Sequence, residues 1–372
     1  MKRALVIGGT GPTGPYVIQG LNDRGYDVAI FHRGVHEPDD LPTVEHIHGD
    51  PHFEHTIADA LGDRTFDVVL SMYGRLREIS KVLAHRCDQL VGVGGIGVYR
   101  GLLEPERTRP FGLRIGATEA GPLADEDGSA PRFSALMLEA ERSLFSLAAS
   151  GAYQAAVVRY PQIYGPRSIV PWEWSVIKRV QDGRRQMILP DDGLRIMSRC
   201  SARNAAHALL CIVDNAEISN GKAYNCADLD QFTQRQWAEI VIDLVGGSTE
   251  IVGIPGILAE TTAAELMPAR DLAPTALVDA SLIRMELGFA DVISATDALR
   301  ECTNWLIDNP PTPGQYPAYL DAFDYEAEDR LISAYQRGVE EIRNEAGIKV
   351  PEIFHPLPHP KTPGDGPDER GR

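Results

Sequence analysis

The sequence predicts an α/β protein built on a doubly wound parallel sheet, with a smaller second domain formed by the C-terminal half. Three observations carry this. Residues 4–14 read Ala-Leu-Val-Ile-Gly-Gly-Thr-Gly-Pro-Thr-Gly, an apolar strand running straight into a glycine turn. Short apolar runs then alternate with helical segments as far as Gly165, the pattern of parallel strands joined by crossover helices. Beyond Gly165 the alternation breaks up into mixed segments.

In order along the chain, the apolar runs place strands at 3–7, 27–32, 44–48, 67–71, 89–94 and 155–160. Helices fill the intervals at 14–24, 52–61, 75–87 and 134–150; the first opens with Pro15 and closes at Gly25. Residues 112–130 are rich in Gly, Ala, Asp and Glu and read as a loop. In the second half, 234–245 is a helix closed by Gly246-Gly247, and 295–309 one closed by Pro310-Pro311. Residues 325–346 form an amphipathic, charged helix, and the Pro-, Gly- and His-bearing tail 351–372 reads as an extended or disordered arm. The expected division is a nucleotide-binding domain at 1–165 with a return segment near 195–215, a substrate domain at 166–310, and a C-terminal helix and tail at 311–372.

A net charge of −17 argues against nucleic acid or an anionic membrane as partner, since both are polyanions. Cys87, Cys200, Cys211, Cys226 and Cys302 include no Cys-x-x-Cys pair, so buried free thiols in a reducing cytosol are expected. The glycine turn interrupts the first apolar run too early for a signal peptide, and no apolar stretch is long enough to span a bilayer. A cytoplasmic protein acting on a small molecule, with a homodimer as an option, is the expectation.

The glycine turn gives the strand a chemistry. Gly9, Gly11 and Gly14 satisfy G-x-G-x-x-G, and Gly8, Gly11 and Gly14 satisfy G-x-x-G-x-x-G. With a strand before and a helix after, such glycines let the backbone approach a pyrophosphate, which sits at the helix N-terminus. Gly8, Thr10, Gly11, Pro12, Thr13 and Gly14 are therefore the expected cofactor loop. Dinucleotide sites that take NAD place an acidic residue about 20 residues further on, against the ribose 2′-hydroxyl. Here the second strand ends Phe31-His32-Arg33-Gly34. Arg33 cannot accept a hydrogen bond but suits a 2′-phosphate, so NADP is expected, with NAD as the less selective alternative.

Several further segments resemble the extended branch of the short-chain dehydrogenase/reductase superfamily, the NAD(P)-dependent epimerases and dehydratases. They are Val98-Tyr99, the run Arg159-Tyr160-Pro161-Gln162-Ile163-Tyr164-Gly165-Pro166, Ala223-Tyr224-Asn225-Cys226, and the element from Ser281 to Phe289. The similarity runs in order over about residues 1–310. It implies a Rossmann fold, and it implies that Asp50 of Gly49-Asp50 accepts from the adenine amino group. It also implies a catalytic Tyr, a Lys four residues on, and a Ser or Thr from the fifth strand.

Those three positions fall on Phe133, Met137 and Gly95. The six lysines settle the alignment: the residues four before Lys81, Lys178, Lys222, Lys349 and Lys361 are Arg77, Trp174, Ile218, Glu345 and Leu357, and none precedes Lys2. No Tyr-x-x-x-Lys exists. A free phenol titrates near pH ~10, so a Tyr without its Lys is a weak acid–base catalyst at neutrality. Tyr73 is the first candidate to replace it, because Arg77 lies at i+4 and could depress its pKa; Tyr99 and Tyr160 follow. An atypical oxidoreductase is the leading expectation. A lyase, isomerase or cyclase on the same fold, or a cofactor-sensing binder without catalysis, are the alternatives.

On the substrate side the resemblance points to Gln162, Trp172, Trp174, Met187, Arg195 and Met197. Their apolar and aromatic character suits an apolar or aromatic compound more than a nucleotide sugar. His46, His48, His52 and His55 match no compact zinc pattern, so surface histidines and no metal are expected.

Overall fold

Ala4 to Ile7 are fully buried, as an interior strand of a sheet covered on both faces must be. The computed structural model describes residues 2–34, 41–72, 74–126, 128, 130–259, 275–312, 315, 321–347 and 363. This strand, β1 (Lys2–Ile7), leads through the glycine turn to α1 (Gly14–Asp23), β2 (Tyr26–His32), β3 (Glu45–His48) and α2 (Glu54–Leu61). There follow β4 (Phe66–Ser71), α3 (Leu76–Val82), β5 (Cys87–Gly95), α4 (Arg132–Ala149) and β6 (Gln154–Tyr160). The second half supplies β7 (Gln162–Tyr164), α5 (Trp172–Gln181), β8 (Gln186–Pro190), β9 (Arg199–Ser201), α6 (Ala202–Asp214) and α7 (Ala216–Ser219). After these come β10 (Lys222–Asn225), α8 (Gln234–Val245), β11 (Glu250–Ile254), α9 (Gly256–Ala259), α10 (Ser281–Leu287), α11 (Ala295–Asp308) and α12 (Tyr325–Ala346).

Seven of these strands form one parallel sheet in the order β10-β6-β5-β4-β1-β2-β3. Helices α1 and α6 cover one face, through Val17, Ile18, Leu21, Leu209 and Ile212. The opposite face packs on α2, α3 and α4, through Ile57, Ile79 and Leu144. The strand order reverses between β1 and β4, and ligands bind such sheets in the crevice beyond the strand ends at that point. The remaining strands pair as β7 with β9 and β8 with β11.

The six expected strands all form, within one or two residues of their expected limits. The third expected helix is shorter, because the chain leaves helical geometry at Leu83 and His85 takes a φ of 59°. Cys87 then pairs with Phe66 as the first residue of β5, so sheet pairing overrides the helical pattern. The return to the central sheet begins with α6 inside the expected 195–215 and is completed by β10, further on. Residues 1–328 make one compact unit and residues 329–372 a second. The expected arm at 351–372 lies outside the described residues except for position 363. No helix among the described residues is long and apolar enough to cross a membrane.

Candidate active site

The glycine turn is shaped as its sequence requires. Gly8 has a φ of 88°, which favours glycine. A Cβ on Gly14 would run into the Gly9 carbonyl, whereas one on Gly11 would meet nothing within 4 Å. The turn is thus closed towards the helix and open towards the crevice. Thr13 precedes α1 without capping it; its hydroxyl donates to Met72 Sδ at 3.3 Å. Gly14 and Val17 N–H donate to Gly11 O and Thr13 O, each at 3.1 Å, and Pro15 has no N–H, so the anion-attracting features here are the glycine turn itself and the positive end of the α1 dipole.

This turn opens into a cavity of about 1370 Å³, bounded by the ends of β4, β5 and β6 and by α4. Gly95, Phe133 and Met137 meet in its wall. A Cβ on Gly95 would lie 3.4 Å from Met137 Sδ, and Phe133, one turn earlier on α4, is 64% exposed to the opening. None of the three carries a titratable proton or a cation.

The candidate tyrosines divide. Tyr73 lies outside the described residues. Arg77, the cation expected to lower its pKa, pairs with Glu78 and Glu139, each at 2.7 Å. Tyr99 is not in the cavity wall. It is 1% exposed, donates to Asn225 Oδ1 at 2.7 Å and accepts from Arg159 Nη1 at 3.0 Å. Burial raises its pKa, so Tyr99 is a core residue, and this corrects its place among the candidates. Tyr160 does line the cavity, beside Thr13, but burial holds its phenol far above the usual tyrosine range. It can donate a hydrogen bond and is poorly suited to lose a proton.

Arg33 is exposed at the end of β2, near enough to Asp50 to lower its pKa slightly. Asp50 Oδ1 is not solely presented to a ligand: it accepts from His52 N at 3.0 Å and His52 Nδ1 at 2.6 Å, which keeps the carboxyl below its ordinary pKa. Of the substrate-side candidates, Gln162, Trp172 and Met197 line the cavity. Trp174 and Met187 are core residues, and Arg195 is paired with Asp191 away from the wall, which corrects those three expectations.

Gln162 is distinctive, because neither atom of its buried amide has a hydrogen-bond partner among the described residues. Sequence reasoning missed Glu141. It lines the cavity and forms a two-pronged pair with Arg159, at 3.0 and 2.8 Å, with both side chains 6% exposed. The signal was present: Phe133, Met137 and Glu141 recur every four residues and share one face of α4, and Arg159 interrupts the apolar run of β6.

No protein-family model matches the chain, and no curated protein sequence does. Solved structures match in fold. The dTDP-glucose 4,6-dehydratase of Bacillus anthracis, determined with NAD, has a TM-score of 0.64 at 17% identity, covering 83% of this chain and 97% of that one. The UDP-glucose 4-epimerase of Thermotoga maritima, determined with UDP-glucose, gives 0.65 at 15% identity over 83% and 100%. A dTDP-glucose 4,6-dehydratase of Streptomyces venezuelae, with NAD and TYD bound, gives 0.62 at 17% identity over 82% and 97%. The chain has the Rossmann-type fold of these epimerases and dehydratases, the one its motifs led us to expect.

Proposed function

We propose that the protein binds NADP(H) and acts as an atypical oxidoreductase on a small apolar or aromatic substrate. The observation that carries this is an open glycine turn facing a large, mainly apolar cavity. When bound there, a nicotinamide cofactor would supply hydride-transfer chemistry to a substrate in the cavity. The glycine turn, with the positive end of α1, holds the diphosphate, Arg33 takes the 2′-phosphate, and Phe133 and Met137 exclude water from the reacting end. Gln162 orients the substrate through its amide, Tyr73 supplies a proton, and Tyr160 donates a hydrogen bond without giving up its own proton.

Calorimetry tests the cofactor claim. NADPH should bind more tightly than NADH, and Arg33→Asp should remove or reverse the preference; equal affinities in the parent protein would sink it. A second reading, a non-redox enzyme or a cofactor-sensing binder, is favoured by the joint loss of polar groups at Gly95, Phe133 and Met137. Following NADPH absorbance alongside product formation separates the two. Product without cofactor consumption, or tight binding without turnover, decides for the second.

A further inference from the structure

We infer that His32, His46 and His48 form a binding site for one divalent transition-metal ion, with Zn²⁺ as its best match. The histidine run noted in the sequence suggested no such site because the third partner comes from another strand. His48 sits opposite His32 in the β2–β3 register, and His46 lies two residues earlier on β3. Side chains two apart on a strand share a face. Their neighbours confirm which one: Phe31 and Ile47, the alternate residues, are buried in the opposite layer. The three imidazoles therefore project from one side of two parallel strands.

Their ring nitrogens converge. His32 Nε2 and His46 Nδ1 are 3.1 Å apart, and one nitrogen from each ring lies within 4.8 Å of the others. Zn–N bonds of about 2.0–2.1 Å at tetrahedral angles put ligand nitrogens about 3.4 Å apart. The closer pair already has that spacing, and rotation of the exposed His46 and His48 rings can close the rest. His32 is buried and gives the site a fixed base, while the two exposed rings leave an approach for the ion and a fourth position for water. Ring centroids 4.9 and 5.0 Å apart, in edge-on pairs, show that the rings do not stack face to face and keep their nitrogen edges available to one another.

The proton count is consistent. Gly34 N–H donates to His32 Nδ1 at 3.1 Å, so without metal His32 carries its proton on Nε2, shared with His46. Metal binding moves that proton to Nδ1 and replaces the shared hydrogen bond with a metal–nitrogen bond; the Gly34 hydrogen bond is given up. Neutral imidazole donors without thiolate or carboxylate suit Zn²⁺, Ni²⁺ or Cu²⁺ rather than Mg²⁺ or Ca²⁺.

The test is titration of the chelator-treated full chain with Zn²⁺ in mildly alkaline buffer, read by calorimetry and by Co²⁺ absorption. One ion per chain is expected. His46→Ala and His48→Ala, both at exposed positions of an edge strand, should each weaken it by about tenfold or more, while His55→Ala on α2 should not. The unfolding temperature of the metal-free variants checks folding, and if one variant fails to fold the other carries the test. No binding by the parent chain, unchanged binding in the folded variants, or equal loss in His55→Ala would overturn the site.

Discussion

Gln162 shows how a single residue can report on a site. A buried amide without partners costs the folded protein about 1–3 kcal/mol. Its two polar atoms are buried in the cavity wall without partners among the described residues, which is tolerable where a ligand supplies them. Gln162→Leu should therefore raise the stability of the ligand-free protein in denaturant unfolding. A clear loss of stability would show that the amide is satisfied in the ligand-free state. The neighbouring substitutions carry the same lesson in reverse. Phe133 and Met137 stand where the resemblance leads one to expect a phenol and an ammonium, and neither carries a titratable proton or a charge. That much was legible in the sequence, because a missing Tyr-x-x-x-Lys is a local fact. The engagement of Arg77 by Glu78 and Glu139 was not, since Glu139 reaches it from α4, far along the chain.

At the scale of elements, α4 and β6 are joined beside the cavity by Glu141 and Arg159. Burial opposes both charges, and the two-pronged contact together with the Tyr99 hydroxyl offsets that opposition. Breaking such a pair from one side strands a buried charge and costs about 3–5 kcal/mol, whereas replacing both partners with apolar residues costs much less. Glu141→Ala should lower stability in urea unfolding by that amount, and Glu141→Leu combined with Arg159→Met should recover a good part of it. A single variant as stable as the parent would mean that the pair holds nothing together. Gly94 fits this account: a Cβ there would come within 3.0 Å of Glu141 Oε1. Strands were legible as elements because a buried parallel strand must be continuously apolar. The end of α3 was not, because pairing of Cys87 with Phe66 decided it.

On the scale of the whole molecule, residues 321–328 close the larger unit against α5. Arg179, fully buried, pairs with Asp321 at 2.7 Å and with Glu328, each of them 1% exposed, and its guanidinium faces the Phe323 and Tyr325 rings at 5.0 and 5.8 Å. Arg179→Met leaves Asp321 buried without its cation and Glu328 with only Arg184, 3.8 Å away. It should destabilise the unit by about 3–5 kcal/mol, seen as a lower midpoint in thermal or denaturant unfolding; an unchanged midpoint would remove the clamp from the account. Nothing in the sequence joins position 179 to positions 321 and 328, because that contact bridges more than a hundred residues.

The sequence by itself determined the alternating strands and helices, the glycine turn with its following helix, and the loss of the expected acid–base residues. Each is a pattern within a short window, where periodicity and the conformational freedom of glycine act directly on neighbouring residues. Only the tertiary structure decided which candidates converge. It placed Tyr160, Gln162, Trp172 and Met197 around the cavity, sent Tyr99, Trp174 and Met187 to the core, and brought His32 against His46 and His48. The physical reason is register. Strand order and pairing set which distant side chains share a face, and they are fixed by burial across the whole sheet, which a short stretch of chain does not record.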